Sequence, residues 1–333
     1  MELIKNIFDH QWADINDIRV HYVECGTGPL IILCHGFPHS WYSWHRQIRY
    51  LADAGWRVIA PDLRGMGETD APASPQAYDC FQTAGDLAAL LDHLGEEQAV
   101  FAGLDFGIFA IYDLAHLHPD RVKAIIALEN PHYPERADIS PLAEAAAWAK
   151  NHFVHIEYFR PEGIADADLA EAPKEFITRV LYALSGDYHY LDVWKHPVGT
   201  KYLDALPAAP PLPWAWISAE EMDVMASTYA RSGFTGGLNW YRAMDIRWEQ
   251  RAAWRGLKTQ APFYFIGSEH DVDLEAWHGD DPLGDIYHHH AEVRQIDMLP
   301  KAGHLIQLEK SAEVNALLDK YLTDIYQPDR PEA

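Results

Sequence analysis

Cysteine is scarce in this 333-residue sequence, with Cys25, Cys34 and Cys80 alone. No CxxC pair occurs, so neither a disulfide framework nor a cysteine zinc site is indicated. Positive charge is also thin: 26 Lys and Arg stand against 50 Asp and Glu, a net charge of −24. That balance disfavours nucleic acid and anionic membranes as partners. No apolar run approaches the length of a membrane span. From Met1 to Trp12 charges are mixed among the apolar residues, and the apolar centre of a secretion signal is missing. These absences make a cytoplasmic protein without membrane insertion the expectation. What is present is ordinary for a globular chain: 48% apolar and 23% charged residues, enough to bury a sizeable core.

The first half of the chain alternates two periodicities. Ile18–Glu24 alternates like a strand, and Leu30–Cys34 is a continuous apolar run suited to a strand buried on both faces. Trp41 to Ala54 has helical spacing and stops at Gly55, and Arg57–Ala60 is strand-like. Asp79 to Leu94 reads as a long helix, Ala99–Leu104 as a strand, Phe106 to Leu117 as a helix and Val122–Leu128 as a strand. Strands alternating with helices imply a mostly parallel sheet covered on both sides. From Pro131 to about Arg255 the segment is helical and rich in Trp, Tyr, Ala and Pro, with a proline cluster at Pro207–Pro213. The alternation resumes with Pro262–Gly267, Val293–Met298 and a terminal helix at Ser311–Tyr326. The expected organisation is a core of residues 1–131 and 256–333, with residues 132–255 inserted as a helical cap.

A serine is missing where chemistry would place one. Gly103-Leu104-Asp105-Phe106-Gly107 joins an apolar run to a helical stretch, the setting of a sharp turn that usually exposes a serine above a sheet. An aspartate there cannot run serine acyl transfer, but it can attack an electrophilic carbon and form an ester that water later hydrolyses. The partial positive charge of the helix start is expected to keep Asp105 ionised. Backbone N–H groups of Phe37, in His35-Gly36-Phe37-Pro38, and of Phe106 are candidates for the oxyanion hole. His304 follows the last strand-like segment and is the candidate base, in the chain order nucleophile, acid, histidine. The acid that orients it is Asp271, after the Pro262–Gly267 strand, or Glu129, after the strand before the cap. Gly65-x-Gly67 lacks the third glycine of a dinucleotide site and reads as a tight turn, and no cofactor is called for. His288-His289-His290 stands in a polar segment without other spaced ligands, so a solvated loop is expected there and no metal site. The cap tryptophans are expected mainly in its core.

Taken together, these pieces resemble an α/β-hydrolase of the epoxide hydrolase family. The matching segments are His35-Gly36-Phe37-Pro38, Asp62-Leu63-Arg64-Gly65-Met66-Gly67, the aspartate turn, Gly303-His304, Tyr158-Phe159 and Gly237-Leu238-Asn239-Trp240-Tyr241-Arg242. They span roughly Asp17 to Tyr326. The resemblance implies the α/β-hydrolase fold with an inserted cap, a small-molecule epoxide as substrate, and two cap side chains that hydrogen-bond its oxygen. Tyr241 occupies one such position. His155 occupies the other, where a tyrosine is usual, and an imidazole there leads to the expectation of a steeper pH dependence. Phe37, Pro38, Phe106 and Trp240 are expected in the pocket wall. A haloalkane or haloacid dehalogenase shares the aspartate, but Phe106 has no ring N–H for a halide, and Phe106 to Tyr112 contains no arginine. A catalytically silent binding homologue is the remaining alternative. A homodimer is compatible with the sequence, which does not define the assembly.

Overall fold

The computed structural model describes residues 8–134 and 136–327; part of the Met1 to Trp12 stretch therefore lies outside the described residues. An eight-stranded sheet runs β1 (Asp9–Ile15), β2 (Ile18–Cys25), β4 (Arg57–Pro61), β3 (Leu30–Cys34), β5 (Ala99–Leu104), β6 (Val122–Leu128), β7 (Phe263–Ser268), β8 (Val293–Leu299) in spatial order. β2 pairs antiparallel with both β1 and β4, and every other pairing is parallel. The apolar runs of β3, β5 and β6 sit at the centre because a strand covered on both faces has no side that tolerates polar groups. β1 was not apparent in the sequence. It is an edge strand that buries only Ala13 of its seven residues, so it carries little apolar pattern.

Helices flank the sheet. α1 (His45–Asp53) packs on the terminal helix, α15 (Ser311–Tyr326), and α2 (Cys80–Leu94) packs on α3 (Phe106–Leu117). The helix expected from Trp41 divides into a 3₁₀ turn, Trp41–Trp44, and α1. Asp79 starts α2 by accepting the Gln82 N–H at 2.8 Å, satisfying one of the first-turn donors.

Between β6 and β7 lie α4 (Pro141–Trp148), α5 (His155–Phe159), α6 (Ile164–Glu171), α7 (Pro173–Ala183), α8 (Tyr202–Ala205), α9 (Ala219–Ser232), α10 (Thr235–Arg242) and α11 (Met244–Arg251). Buried polar bonds tie them to the sheet layer. The Asp113 carboxylate of α3 receives Arg247 Nη2 at 2.9 Å and Arg251 Nε at 2.9 Å, and the Tyr133 hydroxyl at 2.7 Å. The Tyr229 hydroxyl donates to His39 O at 2.8 Å. After β7 come α12 (Val272–Ala276) and α13 (Pro282–His289), and α14 (Ile306–Glu309) precedes α15.

The histidine run is not a solvated loop. His288 and His289 end α13, and His290 is buried with Nδ1 2.6 Å from Thr259 Oγ1 and Nε2 2.8 Å from Pro131 O. The loop was expected from composition. Packing of α13 beside the β6 exit overrides it.

Candidate active site

The β5–α3 turn places Asp105 at φ 52°, ψ −134°, a region that non-glycine residues rarely occupy and that costs about 1–3 kcal/mol. Crowding explains its neighbours. A Cβ on Gly107 would lie 2.4 Å from Cys34 O, and a Cβ on Gly36 would lie 2.0 Å from Asp105 Oδ1. With no side chain at Gly36, the loop after β3 closes on the carboxylate, and the Phe37 N–H donates to Asp105 Oδ1 at 2.8 Å. Burial raises the Asp105 pKa above the ordinary carboxylate value. His304 and the N–H groups of Phe106 and Phe37 oppose it without cancelling it. Desolvation is thus the larger effect on this carboxyl, and the N–H groups at the helix start act in the expected direction against it.

His304 lies beyond β8, in the loop before α14. Its backbone N–H donates to Leu184 O at 2.8 Å, and Glu309 accepts the N–H groups of Gly303 at 3.0 Å and Gly186 at 2.9 Å. The inserted segment therefore helps to fix this loop. His304 Nδ1–H donates to Asp271 Oδ2 at 2.6 Å, which leaves Nε2 facing Asp105 Oδ2 at 3.9 Å. Burial works against a charged imidazole. Asp271, then Asp273 and Asp105, outweigh it, and the pKa lies well above the ordinary histidine value. Between the two acids considered for orienting His304, the geometry favours Asp271. Glu129 Oε2 accepts Ser268 N–H at 2.9 Å instead, and burial together with the Asp271 charge pushes its pKa well up.

The helices between β6 and β7 supply the opposite wall. Tyr241 packs edge-on to Phe106, centroids 4.7 Å apart, and to Phe37, 5.7 Å apart. Burial, with Asp105 adding to it, keeps its phenol far above the usual pKa and so protonated as a donor. His155 Nδ1 accepts Trp194 Nε1–H at 3.3 Å and lies 3.2 Å from the Tyr190 hydroxyl. Because an indole N–H only donates, the His155 proton sits on Nε2. Burial lowers the His155 pKa to about 3. This direction runs against the expected steeper pH dependence, since a lowered pKa favours the neutral ring.

Two arms of one cleft meet at Asp105, and Asp105, His155, Tyr241, Asp273 and Trp277 border both. The larger spans about 870 Å³ with its open mouth included and passes Phe106, Phe109 and Met244; the smaller spans about 460 Å³ on the same basis and passes Phe37, Pro38 and Phe159. Trp240, expected in the wall, lies one layer behind it. Its ring packs on Phe106 and its Nε1–H donates to Arg64 O at 2.9 Å. Sequence reasoning missed Asn130 and Asp273. Asn130 Oδ1 accepts the Asp105 N–H at 3.1 Å, while its Nδ2 donates to Asp273 Oδ2 at 2.8 Å. Neither residue belongs to a motif quoted above, though each stands just beyond a strand end, where such sheets place ligands. Asp105, Asp273 and His304 are also the one trio among the described residues spaced as metal ligands; their hydrogen bonds suit acid–base work.

An eight-stranded sheet of this order, with a carboxylate on the strand–helix turn, a histidine–aspartate pair behind it and a helical cover in front, defines an α/β-hydrolase. Residues 29–156 match the α/β-hydrolase fold family. Epoxide hydrolase A of Mycobacterium tuberculosis is 39% identical over 94% of this chain and 97% of its own length. Epoxide hydrolase 1 of Siraitia grosvenorii is 33% identical over 94% and 98%. Among solved structures, epoxide hydrolase A from Mycobacterium thermoresistibile superposes with a TM-score of 0.87 at 37% identity, covering 95% of this chain and 98% of that one. An epoxide hydrolase from an endophytic Streptomyces gives 0.90 at 34% identity and 96% of each. The chain belongs to the epoxide hydrolases of the α/β-hydrolase fold.

Proposed function

We propose that this enzyme opens epoxides to vicinal diols through a covalent ester on Asp105. The observation that carries the reading is the Asp105 carboxylate, exposed to a cleft between an N–H-lined floor and two neutral donors overhead. In the first step an Asp105 oxygen attacks an oxirane carbon, the carbon–oxygen bond breaks, and Tyr241 and His155 donate to the departing oxygen. Ester formation neutralises Asp105. One of the charges that raise the His304 pKa is thereby removed, so the imidazole releases its proton more readily. Neutral His304, oriented by Asp271, then takes a proton from water as it attacks the ester carbonyl, and the Phe37 and Phe106 N–H groups stabilise the oxyanion. On collapse the His304 proton passes to the departing alkoxide oxygen, which releases the diol and restores the carboxylate with one oxygen from water.

A single turnover in ¹⁸O-water tests this sequence. The expected result is label in Asp105 and an unlabelled first diol. Asp105→Ala should abolish turnover, and His304→Gln should stall after about one equivalent with an alkylated Asp105 detectable by mass. Label appearing directly in the first diol, with Asp105 unlabelled, would refute the covalent route. Halide release from chloroalkanes or haloacetates at comparable rates would favour a dehalogenase.

A further inference from the structure

The first turn of α12 carries a second acid, Asp273, two residues past Asp271. Asp273 borders both arms of the cleft at their junction. Its Oδ2 accepts Asn130 Nδ2–H at 2.8 Å and lies 3.9 Å from His304 Nδ1, while 21% of the side chain is open to the cleft. The other oxygen takes no hydrogen bond from the described residues. The two arms are lined by mixed groups, with Phe37, Phe159 and Val180 beside Tyr190 and Tyr202 in one, and Phe109, Ile139 and Met244 beside Arg247 and Arg251 in the other. A carboxyl in such a setting costs free energy unless a partner completes its hydrogen bonding.

Distance says where that partner would be. One oxygen of Asp105, one of Asp273 and one nitrogen of His304 lie within 4.8 Å of one another. A carbon bonded to Asp105 therefore holds the substituents of its neighbouring carbon within reach of Asp273. We infer that Asp273 is a specificity-determining residue whose carboxyl receives a hydroxyl on the carbon beside the oxirane, making 2,3-epoxy alcohols the favoured class over hydrocarbon epoxides. This rests on Asp105 being the nucleophile. Burial, aided by the Asp271 and Asp105 charges and opposed by His304, raises the Asp273 pKa to about 7. Both its forms, carboxyl and carboxylate, accept an O–H, whereas an ammonium substituent needs the ionised form.

The test compares kcat/KM for a 2,3-epoxy alcohol, its O-methyl ether, the matching 2,3-epoxy amine and the matching hydrocarbon epoxide. Wild type should prefer the alcohol over the ether and the hydrocarbon by roughly 10- to 100-fold, the range that a hydrogen bond to a charged group gives. In Asp273→Val the alcohol-to-hydrocarbon ratio should fall by about tenfold or more, whatever the absolute rates, and in Asp273→Asn by less. Wild-type ratios near unity, or ratios that Asp273→Val leaves intact, would overturn the proposal and leave Asp273 acting through His304 on all substrates alike. A wild-type preference for the amine over the alcohol would overturn the choice of hydroxyl. Turnover of the hydrocarbon with an unchanged ratio leaves the Asp105 reading standing; no turnover of any oxirane, and no Asp105 adduct, removes both.

Discussion

At the residue scale the site depends on protons held where solution chemistry would not hold them. His155 is the clearest case. Its imidazole packs among Tyr190, Trp194 and Tyr202 with Nδ1 already engaged, and burial lowers its pKa to about 3. A lowered histidine pKa means that the neutral ring persists until the pH falls towards that value, so no charge change occurs between pH 5 and 8. His304 behaves oppositely: its raised pKa keeps the imidazolium to higher pH, and it must lose that proton to act as a base. The acid limb of kcat is therefore expected to follow His304 after Asp105 is esterified. His155→Tyr should change kcat by a constant factor while its pH profile from 5 to 8, scaled, overlays that of wild type. A limb displaced by a full pH unit in that variant would show that the ring titrates in the working range.

At the scale of elements the question is what holds α11 and α10 over the sheet. Asp113 answers for α11, since its buried carboxylate is shared by Arg247 and Arg251. Burial alone would raise its pKa; Arg251 and Arg247 outweigh this and bring it below the ordinary value. A depressed carboxyl pKa stabilises the fold above the unfolded value near 4 and is lost as pH falls through the folded one. Asp113→Asn should thus cost about 3–5 kcal/mol at neutral pH, because breaking a buried pair leaves charge without its counterpart. Urea titrations read the cost, and the gap between variant and wild type should narrow below pH 4. A gap that widens there would contradict the assignment. Much of this scale was legible beforehand: β3 from its unbroken apolar run, β5 and β6 from strand-like segments alternating with helices, and α2, α3 and α15 from helical patterns. The Asp105 turn and His304 were read from chain order and flanking residues, and Tyr241 from the resemblance to the epoxide hydrolases. What escaped was set by contacts between distant segments. β1 is polar because it is an edge, Trp240 turns behind the wall to reach Arg64, and His290 is buried against Phe263, Thr259 and Pro131. Asn130 and Asp273 meet only because β6 and β7 lie side by side.

Across the whole molecule, an excess of 24 negative charges sets a background that no single pair offsets. Exposed pairs such as Arg49–Asp53, 3.2 Å apart with both side chains more than half exposed, contribute little. Mutual repulsion of the acids opposes the compact state and acts over the screening length, about 30 Å at 0.01 M salt and about 3 Å at 1 M. Salt therefore weakens both effects, and the repulsion, being the larger sum, should decide the sign. Raising sodium chloride from 0.02 to 0.5 M is expected to increase Tm by about 2–4 °C, equivalent to roughly 1.5–3 kcal/mol in a chain of this size. A Tm that falls would mean that the surface pairs matter more than the net charge. Turnover gives an independent check on where the charge acts. An epoxide without charge feels no steering by the field, so its kcat/KM should change by less than about twofold over the same salt range. A large change would instead place salt-sensitive groups in the cleft itself, with the pairing of Arg247 and Arg251 on Asp113 beside the larger arm as the first place to look.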